Sequence, residues 1–335
     1  MQKTKVTENI EFAYHDSGAP PDKDDYCSII VIHGYTYHSG TFSRMSQQAS
    51  SIGHRLILPN RRLYPGSTPY TEEESKAFDL TNPTEEVAKA FLKEGEYLLL
   101  FVSNLIEKHS LKKVILVGWS LGTMFLCSAI GSITTLTDDT KSRLLRTIRA
   151  FVFWDPPATV IGIPSPPSGG WTPLFDETLA AEQKGQAFGE WVVQYYPHPE
   201  MEKKDCYNLI YKMAPPVKPP TFSDIPVKEL LSKIDLSAGP NGDSRFVNLL
   251  FQPVANKIKD LALFTPGIRE AWHDTSFNII YGEETIYNVV WAAWQLEAEA
   301  ERTGLPLKIG GIPGANHFPM HDLPKVTFDT LLACL

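Results

Sequence analysis

The sequence has no feature typical of nucleic-acid binding or membrane insertion. Lys and Arg number 31 against 39 Asp and Glu, and the formal net charge of −8 comes without any basic run. Phosphate binding needs clustered cations, so a nucleic-acid partner is excluded. No apolar run approaches the roughly 18 residues of a membrane span, and residues 1–11 lack the apolar core of a signal peptide. We therefore expect a cytoplasmic protein without a membrane partner.

Cysteine is also scarce, and metal-binding and nucleotide-binding motifs are missing. The four cysteines stand far apart without Cys-x-x-Cys spacing, which indicates reduced core residues. No His and carboxylate cluster has metal-ligand spacing, and the Gly-x-Gly-x-x-Gly turn of dinucleotide-binding folds does not occur. The sequence predicts neither a metal nor a cofactor.

What the chain does contain is a regular alternation of short apolar runs and longer amphipathic stretches. This pattern predicts an α/β fold, with a mostly parallel sheet flanked by helices. Residues 28–32, Ser-Ile-Ile-Val-Ile, have the continuous apolarity of a strand that is buried on both faces. Further strands are predicted at residues 10–15, 54–58, 113–117, 149–154, 277–281 and 305–309, with helices at 41–52, 83–109, 121–130, 287–302 and 324–332.

The alternation is interrupted once. Residues 156–273 are rich in Pro, Gly and aromatic residues, with short helical pieces predicted at 179–195 and 227–234. Because strands and helices resume afterwards, we interpret residues 1–155 and 274–335 as one core and residues 156–273 as an inserted lid, mainly helical. Its aromatic residues predict a bulky apolar ligand, and Trp191 is a candidate for the pocket wall.

The sharpest motif is Gly-Trp-Ser-Leu-Gly at residues 118–122, directly after a predicted strand and directly before a predicted helix. Glycines allow a turn tight enough to expose the hydroxyl of Ser120 above the sheet. The free N–H groups at the start of the helix favour negative charge that develops nearby. This setting predicts a nucleophilic serine.

Two further loops follow predicted strands. His-Gly-Tyr at residues 33–35 comes after the strand that ends at residue 32, and Gly-Ala-Asn-His-Phe-Pro at residues 314–319 comes after the last strand. Together with the serine turn, these loops resemble those of the α/β-hydrolase superfamily over essentially the whole chain except the lid. The segment Asn-Arg-Arg-Leu-Tyr-Pro-Gly-Ser at residues 60–67 departs from the family pattern Asp-x-Arg-Gly-x-Gly-x-Ser, and we expect it to shape the pocket rim differently.

The resemblance implies a role for each loop. Ser120 is the nucleophile, and His317 is the base because the family order places the nucleophile first and the histidine last, with His321 as the fallback. The backbone N–H groups of Tyr35 and Leu121 would form the oxyanion hole, while His33 would stabilise its loop. Candidate pocket residues are Gly34, Tyr37, Trp119 and Trp191.

The acid of the triad has two candidates. Most family members carry an Asp at the position of Thr285, and Glu284 could serve one residue earlier if the loop bends. Asp155, at the end of the strand before the lid, is similar to the acid of a minority of the superfamily that includes fungal lactone hydrolases acting on zearalenone. Either carboxylate could hold the distal imidazole N–H, and the two prolines after Asp155 favour it as a rigid support.

These residues predict a hydrolase that cleaves a carboxylic ester or lactone of a bulky apolar small molecule through an acyl-enzyme on Ser120. Epoxide hydrolases and dehalogenases share the fold but attack with a carboxylate, which the serine disfavours. A carbon–carbon hydrolase, a non-hydrolytic cyclase and a non-catalytic receptor for a small ligand remain as alternatives.

Overall fold

A computed structural model describes residues 1–21 and 23–335. Its centre is an eight-stranded sheet in the order β1-β2-β4-β3-β5-β6-β7-β8. Strands β3 to β8 run parallel, and β1 and β2 form an antiparallel edge. The strands are β1 (Gln2–Lys5), β2 (Glu11–Asp16), β3 (Ser28–Ile32), β4 (Arg55–Pro59), β5 (Val114–Trp119), β6 (Ile148–Trp154), β7 (Ser276–Gly282) and β8 (Leu307–Ile312).

Helices cover both faces of this sheet, as its buried strands require. In β3, Ile30 and Ile32 belong to the apolar layer beneath α3, α4 and α8, whereas Ile29 and Val31 belong to the layer beneath α1 and α12. The helices are α1 (Ser43–Ile52), α2 (Glu72–Ala77), α3 (Thr84–His109), α4 (Gly122–Gly131), α5 (Asp138–Thr147), α6 (Ala181–Val192), α7 (Val227–Leu231), α8 (Gln252–Phe264), α9 (Pro266–Ala271), α10 (Tyr287–Thr303), α11 (Pro319–Asp322) and α12 (Pro324–Leu332).

The predicted fold class is confirmed, and most predicted elements lie within two residues of their expected bounds. The exceptions inside residues 156–273 are α6, which begins two residues later and ends three earlier than expected, and α7, which ends three residues earlier. Outside that segment, β8 begins two residues and ends three residues later than the strand predicted at 305–309. The sequence patterns predict neither strand β1 nor helices α2, α5, α8, α9 and α11. Strand β1 is polar and largely exposed, so it has no apolar alternation, and pairing with β2 holds it in place.

Residues 156–273, all of which the structure describes, contain no strand. Helix α8 packs against α3 and α4, and its buried side chains join the core beneath them. Residues earlier in the segment instead surround Ser120 at the carboxyl ends of β5 and β6. Across the described residues, no helix has the length and apolarity that a membrane crossing requires.

Candidate active site

The candidate nucleophile lies on a strained turn between β5 and α4. Ser120 has a φ of 54°, a left-handed conformation that costs a side-chain-bearing residue about 1–2 kcal/mol. Its N–H donates to the carbonyl of Trp154 at 2.9 Å. A Cβ at Gly118 would lie 2.5 Å from the carbonyl oxygen of Gly122, and one at Gly122 would lie 2.2 Å from that of Ile32. The two glycines of the motif are therefore required by close backbone packing.

His317 and Asp155 form a buried pair. His317 lies in the loop between β8 and α11, and its Nδ1 is 2.8 Å from Oδ2 of Asp155. Asp155 follows β6 with a φ of 49°, so it too occupies the left-handed region. Because a carboxylate only accepts, Nδ1 carries the proton, which leaves Nε2 as the nitrogen available to a nucleophile.

The alternatives for acid and base lie elsewhere. Oε2 of Glu284 is 2.8 Å from the ammonium of Lys218, and its side chain is 24% exposed. Nε2 of His321 is 3.1 Å from a carboxylate oxygen of Asp224. Of the two carboxylates considered from sequence, Asp155 is the one that contacts His317.

Neutral groups hold the carboxylate of Asp155. The N–H of Gly282 donates to Oδ1 at 2.8 Å, and the hydroxyl of Thr285 donates to Oδ2 at 2.9 Å. Thr285 occupies the position where the family resemblance implies an acid, and it contacts the acid of the neighbouring strand instead. Among the described residues, no ammonium or guanidinium forms an ion pair with Asp155, whose only charged partner is His317 when protonated.

Trp119 and Asn316 fix the loop that carries His317. Nε1 of Trp119 donates to the His317 carbonyl at 3.1 Å, and the two rings lie 5.1 Å apart. Trp119 is 1% exposed, and it lies behind the histidine. Nδ2 of Asn316 donates to the Val193 carbonyl at 2.9 Å, which joins this loop to the end of α6.

Two backbone donors remain free beside Ser120. In the part of the chain that the structure describes, neither the N–H of Tyr35 nor that of Leu121 donates a hydrogen bond. Both residues line the cavity that also contains Ser120 and His317. A Cβ at Gly34 would lie 2.8 Å from the Cβ of Ser120, so only glycine allows this loop to come so close. Both N–H groups are therefore available to a ligand in that cavity, as the donors of an oxyanion hole must be.

A buried polar cluster supports the Tyr35 loop from behind. His33 donates from Nδ1 to the Gly34 carbonyl at 2.9 Å and accepts the N–H of Arg61 at Nε2. Burial, together with the charge of Arg61, holds the pKa of His33 well below its usual value. Arg61, expected at the pocket rim, is instead fully buried in this cluster with Asp243. The loop-stabilising role expected of His33 agrees with these contacts. The role of Arg61 was not predicted, although a charged residue just after a buried strand implies a buried partner.

Two cavities meet above the serine. The smaller, of about 40 Å³, contains Ser120 and His317 and has Trp191 in its wall. The larger, of about 1160 Å³, has Tyr37 in its wall and is large enough for a substantial small molecule. The residues that line both cavities are Tyr35, Leu174, Phe175, Phe188 and Val247.

Comparisons with known proteins agree with this architecture. A model of the alpha/beta hydrolase family matches residues 29–330. No curated protein matches the sequence. A bromoperoxidase from Bacillus anthracis is 17% identical over 99% of this chain and 98% of its own, with a TM-score of 0.50. The epoxide hydrolase CorEH is 12% identical over 99% and 97%, with a TM-score of 0.54. At such identities the likeness shows the fold alone.

Proposed function

The chain belongs to the alpha/beta hydrolase family, and we propose that it is a serine hydrolase that cleaves an ester or lactone through an acyl-enzyme on Ser120. The observation that carries the proposal is the buried Asp155–His317 hydrogen bond, whose histidine lines the same cavity as Ser120. A histidine held in this tautomer presents Nε2 as a general base, which is what activates a serine hydroxyl.

The proposed reaction has two halves. Ser120 attacks the carbonyl carbon while His317 takes the hydroxyl proton, and the N–H groups of Tyr35 and Leu121 bind the resulting oxyanion. The intermediate then expels the alcohol, which receives the proton from His317. A water molecule, deprotonated by the same histidine, attacks the acyl-enzyme. The bond from the acyl carbon to Oγ of Ser120 then breaks, the acid is released, and Oγ takes back the proton from His317. Asp155 stabilises the imidazolium that forms twice in this cycle.

The substrate that we propose carries a bulky apolar group. Aromatic side chains form much of the wall between the two cavities, including Phe175 and Phe188, and the larger cavity exceeds 1000 Å³. Such walls favour apolar ligands because binding buries apolar surface on both partners. We propose that residues 156–273 act as the lid. The residues of this segment that line the two cavities all precede α8.

The family also contains enzymes with other reactions, as the epoxide hydrolase among the similar structures illustrates. We favour acyl transfer because position 120 holds a hydroxyl. A carboxylate nucleophile would form an ester with an opened epoxide, whereas a serine activated by histidine is suited to attack a carbonyl.

Labelling with a fluorophosphonate tests the proposal without a known substrate. Intact-mass and peptide analysis should find a single adduct on Ser120, and Ser120→Ala and His317→Ala should abolish it. His273→Ala removes a histidine whose side chain is 71% exposed and serves as the matched control. A fluorophosphonate with a bulky aryl group should label faster than the ethyl analogue.

The outcomes are separable. An adduct that requires Ser120 and His317 but survives His273→Ala supports the serine hydrolase. If the wild-type protein forms no adduct, or forms one equally well in His317→Ala, then Ser120 is not activated and the proposal is wrong. Faster labelling by the ethyl analogue would overturn the bulky substrate class alone.

A further inference from the structure

The peptide group between Gly34 and Tyr35 is held on its carbonyl side by two donors. The Gly34 carbonyl accepts from Nη2 of Arg61 at 2.8 Å and from Nδ1 of His33 at 2.9 Å. In a trans peptide the C=O and N–H point in opposite directions. Donors behind the carbonyl therefore leave the Tyr35 N–H directed away from Arg61, on the side of the serine cavity.

His33 is confined to one protonation state. Because the N–H of Arg61 donates to its Nε2 at 3.0 Å, the proton of the neutral ring lies on Nδ1 and points at the Gly34 carbonyl. Burial and the adjacent guanidinium charge lower the pKa of His33 well below its usual value. The ring thus stays a neutral donor to this carbonyl across the physiological pH range.

Arg61 is itself fixed in orientation. Nε donates to the His33 carbonyl at 3.0 Å, while Nη1 and Nη2 bind the two carboxylate oxygens of Asp243 at 2.8 and 2.7 Å. The side chains of Arg61 and Asp243 are 1% and 0% exposed. A planar guanidinium that is held at both ends has no other orientation available.

Asp243 comes from the lid segment, 182 residues from Arg61 along the chain. Its Oδ2 also accepts the Tyr64 hydroxyl at 2.6 Å, and that hydroxyl oxygen accepts the N–H of Thr36 at 2.8 Å. The loop that contains Tyr35 is thus bonded on both sides to one buried cluster, and the segment above the site closes that cluster.

We propose that Arg61, oriented by Asp243, is a positioning residue that aims and polarises the Tyr35 N–H of the oxyanion hole. A cation bonded to a peptide carbonyl draws electron density toward that oxygen, which makes the N–H of the same peptide a stronger donor. The effect matters most when negative charge develops opposite the N–H, in the transition state. This inference rests on the proposed function, since it requires an oxyanion beside Ser120.

Arg61→Lys tests the proposal with Arg62→Lys as its matched control. Lysine keeps the positive charge, but one ammonium cannot bond the Gly34 carbonyl and both Asp243 oxygens together. Arg62 is the next residue, its side chain is equally buried at 1%, and it pairs with Glu74 and Glu94 instead. The two variants therefore remove comparable buried guanidinium groups, of which one lies behind the oxyanion loop.

The measurement is the concentration dependence of fluorophosphonate labelling, which separates the saturating rate from the half-saturating concentration. We expect Arg61→Lys to lower the saturating rate about tenfold, less than the loss of a whole oxyanion donor, with the half-saturating concentration unchanged. Arg62→Lys should leave both values within about twofold. Equal losses of rate in the two variants, or no loss in Arg61→Lys, would overturn the proposal.

Asp243→Asn gives a second test if Arg61→Lys does not fold, as judged by circular dichroism. The amide preserves the shape of the side chain but no longer holds the guanidinium with charge, so the saturating rate should fall several-fold. A rate within twofold of wild type would contradict the proposal. Absence of labelling in the wild-type protein would instead mean that the serine hydrolase proposal itself is wrong.

Discussion

The two sides of the candidate site are supported in opposite ways. On the acid side, the donors that hold Asp155 are a backbone N–H and a threonine hydroxyl, both neutral. On the oxyanion side, the support for the Tyr35 loop is the buried Arg61–Asp243 ion pair. Asp155 and the Tyr35 loop both follow parallel strands at their carboxyl ends, and we interpret the difference in support through the roles proposed for the two sides.

In the mechanism that we propose, Asp155 has to be an anion whose charge is not already balanced. A guanidinium beside Asp155 would compete with the imidazolium for the same oxygens and weaken the stabilisation of His317. Neutral donors satisfy the lone pairs and leave the negative charge for the histidine. We propose that the Tyr35 loop gains from the reverse arrangement, because the cation of Arg61 behind the Gly34 carbonyl makes the Tyr35 N–H a stronger donor to negative charge.

The largest effect should come from removing the charge on the acid side. Asp155→Asn keeps the shape of the side chain, but its amide can favour the wrong imidazole tautomer, and we expect the labelling rate to fall about 10³- to 10⁴-fold. Glu284→Gln should change it less than about threefold, since Glu284 is paired with Lys218. Labelling rates of the two purified variants check this directly. Comparable losses would remove Asp155 from its proposed role.

A smaller effect should follow from moving the acid to the next strand. The Thr285 hydroxyl already lies 2.9 Å from the oxygen of Asp155 that contacts His317, so a carboxylate at 285 would lie near the imidazole. We expect Asp155→Asn/Thr285→Asp to recover about thirtyfold of the rate lost in Asp155→Asn, since the charge rather than its strand of origin orients the base.

Asp155→Asn/Thr285→Asn is the control, because it has the same shape without the charge. If this control recovers as much labelling as the double variant with aspartate, the gain comes from packing, and the interpretation of the acid side as an electrostatic support is wrong.

Local sequence was sufficient to predict the fold, the strand-to-helix turn that carries Ser120, and the loop after the last strand that carries His317. The Gly-Trp-Ser-Leu-Gly motif stands between a buried strand and an apolar helix, and a turn there has little choice of shape. The helix predicted at 83–109 is observed as Thr84–His109, because its apolar period extends over seven turns. In a segment this long, the apolar period alone is enough to predict the helix and its bounds.

Sequence was insufficient where a contact depends on register between distant elements. Asp155 and Glu284 follow adjacent strands, and the order of residues alone allows either carboxylate to contact His317. What separates them is the backbone at Asp155, whose left-handed φ and two close donors cannot be inferred from an Asp-Pro-Pro sequence. Arg61 and Asp243 are 182 residues apart, and the sequence around either residue gives no sign that the other is its partner.

The smallest predicted effect concerns how the free energy of unfolding depends on pH, through a histidine close to Thr285 and Asp155. His198 accepts the N–H of Ile210 at Nδ1, so Nε2 carries the proton that is donated to the Thr285 carbonyl at 2.9 Å. Burial lowers the pKa of His198 to about 4 from an ordinary value of 6.5. The unfolded chain therefore binds a proton first as pH falls, and the stability that neutral His198 contributes is present above 6.5 and lost toward pH 4.

Replacement of His198 should make unfolding less sensitive to acid. By linkage, His198 accounts for about 1 kcal/mol of the decrease in the free energy of unfolding between pH 7 and 5.5, and His198→Gln should remove that part of the slope. Urea denaturation at several pH values measures it, with His273→Gln as the exposed control. His33, on the oxyanion side, should also make the free energy of unfolding decrease as pH falls, since its pKa is lowered in the same direction. An unchanged slope in His198→Gln would mean that its hydrogen bonds to Ile210 and Thr285 do not depend on a neutral ring.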